Sequence, residues 1–134
     1  MRTLGNSPLT LLLAICFSSA SLLSVPAYAE TITFVCNWPT YSDMEGIHEV
    51  NEKYEATYIL DTETGKAYLI GSNGSSEVLA TPPVDGNISF IEITPGGYVM
   101  TTTITASLAS VHSRNSVMAG ELIPSQYYGK CEIK

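Results

Sequence analysis

Apolar residues in this chain recur with period two more often than with the 3.6 of a helix, and turn-forming residues break the pattern every few positions. Ile32, Phe34 and Cys36 alternate with Thr and Val and read as a first strand. Residues 54–60 are rich in aromatic and β-branched side chains, with Tyr54, Ala56, Tyr58 and Leu60 on one face. Asp61-Thr62-Glu63-Thr64-Gly65 turns the chain, and residues 66–70 return it; Gly65 stands where a positive φ is wanted. A second turn at 71–75 leads to a short strand over 77–80, and Pro82-Pro83 and Asp85-Gly86 interrupt again. Residues 87–93 place Ile88, Phe90 and Glu92 on one face. Thr94-Pro95-Gly96-Gly97 is a turn, because proline presets φ and glycine accepts a positive one. Threonines at 101, 102, 103 and 105 favour a strand there.

Residues 106–120 fit two patterns. Leu108, Val111, Met118 and Leu122 lie on one helical face, while Val111, Val117 and Ala119 lie on one strand face. Five serines and asparagines in this stretch compete for backbone hydrogen bonds inside a helix, so a strand is expected. Residues 127–133 close the chain as a last strand. Seven or eight short antiparallel strands with local connections predict an all-β domain, a small up-and-down barrel or alternatively a β-sandwich.

Arg2, the apolar run 9–17 and Ala27-Tyr28-Ala29 before Glu30 have the order of a secretory signal peptide. The expected division is a cleaved leader over 1–29, which takes Cys16 with it, and a single β domain over 30–134. Cys36 and Cys131 then flank the domain, and in an oxidising periplasmic or secreted setting they are expected to pair. A crosslink closing a loop of about 100 residues contributes about 4–5 kcal/mol in the chain-entropy account. Were the first and last strands neighbours, this disulfide would close the barrel.

All thirteen acidic residues but only five of the six basic ones lie after Ala29, so the processed chain carries a net charge of −8. That charge excludes nucleic acid, whose phosphates need Lys and Arg, and an anionic membrane surface. No membrane insertion is expected after cleavage. A basic protein or a small ligand remains as partner.

The domain offers His48 and His112 as its only neutral-pH bases. No nucleophile-elbow motif marks a serine, and on a strand His112 and Ser113 point to opposite faces. Arg114, the sole arginine after the leader, is expected to pair with a carboxylate such as Glu92 or to bind an anionic ligand. Asp43, Glu45, His48, Glu49 and Glu52 crowd one stretch, but without the register of a calcium loop or a second histidine for zinc. They read as a solvated acidic loop that a basic partner would contact; no metal and no cofactor is expected. Trp38, Tyr41, Tyr127 and Tyr128 are aromatic binding candidates that a terminal disulfide would bring together. The segment 124–129 reads as a shaped loop. The expectation is a non-enzymatic exported binding protein, with a small hydrolase or lyase using His112 or His48 as the alternative.

An early Phe34-Val35-Cys36, tyrosine-rich hairpins and a final Gly129-Lys130-Cys131 give a layout that resembles the small exported β-barrels inhibiting c-type lysozymes in bacterial envelopes. The resemblance implies termini tied by a disulfide and a Ser/Gly-rich loop that enters the target's active-site cleft. Gly71-Ser72-Asn73-Gly74-Ser75-Ser76 occupies a comparable place, which nominates Ser72, Asn73 and Ser75 as contacts. It also implies a basic target for the acidic charge. The chain departs from the family where Glu77-Val78-Leu79 replaces Ala-Arg-Tyr after the loop. It also lacks a later tryptophan, since Trp38 is the only one.

Overall fold

The computed structural model describes residues 30–134, and every regular element among them is a strand. The leader expected over 1–29, with Cys16, lies outside the described residues. In chain order the strands are β1 Thr31–Asp43, β2 Gly46–Glu49, β3 Glu55–Asp61, β4 Lys66–Gly71, β5 Gly74–Ala80, β6 Ile88–Ile93, β7 Val99–Ile104, β8 Ala109–Met118 and β9 Glu121–Ile133. Each pairs antiparallel with the next from β3 onward, and β1 pairs with both β3 and β9. The result is a closed eight-stranded barrel, with β2 as one extra strand. The sandwich alternative does not form.

Closure rests on the two cysteines. Cys36 and Cys131 are register partners on β1 and β9 and are disulfide-bonded, both buried within the barrel. The bond is compatible with an oxidising, exported location.

Expected strand 106–120 is β8, and the inward faces of residues 54–60 and 87–93 are those the period-two pattern assigns. Several boundaries differ. The acidic stretch from Asp43 is a hairpin rather than a loop: β1 runs on to Asp43 and turns directly into β2. Asp43 makes the turn by accepting the N–H groups of Glu45 (2.8 Å) and Gly46 (3.2 Å). The segment 124–129 belongs to β9, whose start at Glu121 lies well before the expected one. Pro124 is tolerated because β9 there has only β8 beside it, so no second ladder needs its missing N–H. The β8–β9 turn is two residues, Ala119 (φ 50) and Gly120 (φ 84), both in the conformation a tight hairpin demands.

Inside the barrel, chemistry changes from one end to the other. Phe34, Leu60, Ala67, Val78, Ile88, Phe90 and Ile104 fill one half with apolar side chains. Phe90 stacks on Tyr58 at 4.5 Å and meets Phe34 edge-on at 5.9 Å. Towards the end that carries the β1–β2, β4–β5, β6–β7 and β8–β9 hairpins, the interior turns polar.

Candidate functional site

The alternation of β8 sends Ser110, His112 and Arg114 inward in succession. Ser113 therefore leaves on the other face, away from His112. Opposite them, β1 carries a bulge between Asn37 and Thr40. The bulge buries Trp38 completely, and its indole Nε1–H donates to Ser110 Oγ at 3.2 Å. The Trp38 backbone N–H also donates to the Tyr54 carbonyl at 3.1 Å, which holds Tyr54 at the top of β3.

A chain of hydrogen bonds crosses the interior. Tyr58 Oη lies 2.6 Å from Thr102 Oγ1, Thr102 Oγ1 lies 2.7 Å from His112 Nδ1, and His112 Nε2 lies 3.1 Å from Tyr54 Oη. Burial, and then the nearby Arg114 charge, push the His112 pKa down to about 4, so the ring is neutral at physiological pH. Burial likewise raises both Tyr54 and Tyr58, keeping their hydroxyls protonated.

Arg114 completes the upper wall. Its Nη1 donates to Tyr127 Oη at 3.4 Å, and its guanidinium lies 5.8 Å from the Tyr127 ring. Its Nε is buried and has no hydrogen-bond partner among the described residues. Tyr127 stacks on Tyr41 at 5.2 Å, and Tyr41 lies 4.9 Å from His48, which bonds Asp43 Oδ1 through Nε2 at 2.9 Å. Hydrogen bonds from the Glu45 backbone and then from His48 lower the Asp43 pKa.

Above this network lies a cavity of about 640 Å³. Tyr54, Tyr58 and His112 line it, with Arg114 and Glu92 on its walls and the Ser72–Ser76 side of the β4–β5 hairpin at its rim. Its origin is a gap in the sheet. β5 and β6 pair only at Leu79↔Ile91 and Ala80↔Phe90, so beyond Leu79 and Ile91 towards the hairpin end the strands part and leave the barrel open. A volume of this size falls within the range of small-molecule sites.

The expected site residues thus gather at one end, in different roles. Ser72, Asn73 and Ser75 are exposed at the rim, and Arg114 and Tyr127 stand inside. Trp38 is wholly buried and supports the network rather than facing a partner. Tyr128 points outward, where it bonds Ser42 Oγ at 2.9 Å and donates to Gln126 Oε1 at 3.1 Å. Glu45, Glu49 and Glu52 are exposed and do not converge; among the described residues no group of three potential metal ligands forms. The expected Arg114–Glu92 pair is not made, although both side chains face the same cavity. Tyr54, Tyr58 and Thr102 join the site beyond the residues the pattern nominated. The tyrosines carried a signal in their shared inward face, whereas Thr102 carried none beyond strand propensity.

Comparison with protein-family models, with curated proteins and with solved structures finds no match for this chain.

Proposed function

We propose that this is an exported binding protein that takes a small polar ligand into the open end of its barrel. The carrying observation is Arg114, whose buried Nε lacks a partner beside a cavity of about 640 Å³. A guanidinium left with an unused, desolvated donor is costly, and a ligand acceptor removes that cost. Non-enzymatic binding accounts for the interior better than turnover does. Both nitrogens of His112 are engaged by Tyr54 and Thr102, and Ser113 lies across the strand from it.

Ser76 is exposed at the rim of the cavity, opposite Leu69 in the β4–β5 register, so Ser76→Trp should block the entrance. Native mass spectrometry of the protein purified from its own host should find a small bound mass that S76W lacks. An identical bound inventory in both proteins, or none in either, contradicts the proposal.

One observation favours a second reading as an inhibitor of a c-type lysozyme. The Ser/Gly-rich β4–β5 hairpin projects from the same end, its residues from Ser72 to Ser76 all exposed. An acidic chain also suits a basic enzyme. On this reading the protein slows lysozyme at stoichiometric ratio, and replacing Ser72 and Asn73 by bulky residues restores turnover. Full lysozyme activity in a large molar excess of the protein eliminates it.

A further inference from the structure

Resting on the reading of the barrel mouth as a ligand site, we propose that its ligand is a small zwitterion, its carboxylate held by Arg114 and Tyr54 and its ammonium by Glu92.

The hydrogen-bond chain has a direction. Tyr58 is 2 % exposed and its hydroxyl has one partner, Thr102 Oγ1. Were Thr102 to donate to Tyr58, the Tyr58 proton would be buried without an acceptor, a cost of about 1–3 kcal/mol. Tyr58 therefore donates to Thr102, and Thr102 donates to His112 Nδ1. A neutral imidazole has one N–H, which this order assigns to Nε2, and that group donates to Tyr54 Oη. Every proton of this chain of hydrogen bonds is then used except that of the Tyr54 hydroxyl, which is left for the cavity that Tyr54 lines. The interior delivers a hydrogen-bond donor to the ligand.

Arg114 supplies the charge for the same acceptor. Its planar fork matches a carboxylate, and its free Nε faces no competing partner. Glu92 supplies the opposite requirement. The registers Glu92↔Met100 and Met100↔Arg114 put Glu92 and Arg114 in one row on the inward face, two strand spacings or about 10 Å apart. Neither makes an ion pair among the described residues. A ligand of one sign alone would cover the other charge and leave it unpaired. A simple anion would also approach a strongly acidic protein against its field, whereas a zwitterion carries no net charge. Met100, Leu69 and Ala56 line the cavity with apolar surface suited to an aliphatic side chain.

Four probes test the chemistry by nuclear magnetic resonance titration of the purified protein: L-leucine, leucyl-leucine, leucinamide and N-acetyl-leucine. One of the two zwitterions should bind at least about tenfold more tightly than leucinamide and N-acetyl-leucine. The tighter of the two distinguishes a free amino acid from a short peptide. Glu92→Gln should abolish that preference over N-acetyl-leucine. Binding of N-acetyl-leucine as tight as that of the tighter zwitterion overturns the zwitterion while leaving the cavity reading intact. Absence of binding by all four probes overturns it too, and the comparison of bound masses with S76W then decides separately whether the cavity is a site.

Discussion

His112 is held between Thr102 and Tyr54, and its pKa of about 4 compares with an ordinary 6.5 for the unfolded chain. Between those values the unfolded chain binds a proton that the folded one refuses. The depressed value therefore contributes stability that is fully present above pH 6.5 and is lost as pH falls to about 4. The size is about 3 kcal/mol for a ring that is almost wholly buried. Asp43, Asp61 and Glu132, each lowered by hydrogen bonds, lose stability with the same sign at lower pH, but they do so irrespective of residue 112. His112→Gln retains a polar amide and removes the titration. Urea unfolding should show the wild type losing about 3 kcal/mol more than H112Q between neutral pH and pH 4. Parallel losses in the two proteins would mean that His112 is not the buried neutral base described here.

At the scale of elements, the inward faces of β3 and β6 were legible because each strand buries one side, and burial writes a period of two into Tyr54 to Leu60 and Ile88 to Glu92. β8 was readable as a strand for a different reason, the cost of serine and asparagine inside a helix. β2 was not legible. Gly46–Glu49 lies outside the closed barrel, its Ile47 is exposed, and no alternation records its pairing with β1. The bulge in β1 also escaped the pattern, because a bulge is a relation between two strands rather than a property of one. Its mark on the partner is Gly129 of β9. A Cβ there would strike the Asn37 carbonyl oxygen and sit 2.8 Å from Trp38 Cα. Only glycine lets β9 approach the bulge so closely. That approach seats Trp38 and, through its backbone hydrogen bond, Tyr54. The site itself was half legible for the same reason. Single residues such as Arg114 and Tyr127 stand out by type, whereas the Tyr58–Thr102–His112–Tyr54 chain draws on three strands and the residue leading into β3.

For the whole molecule, one disulfide and the β1–β9 ladder turn an open sheet into a barrel, and the early end of β5–β6 pairing leaves that barrel accessible at one end. The apolar half supplies the packing that makes the polar half rigid, so the donors of Tyr54 and Arg114 are in place before any ligand arrives. The central claim is that this preorganised end is a binding site. It is tested most directly by adding the small-molecule fraction of the host's envelope extract to isotopically labelled protein while observing the Arg114 Nε–H and His112 ring resonances. Both sets should shift together in the wild type and stay fixed in S76W. Resonances that do not move in either protein, or that move equally in both, would contradict the account.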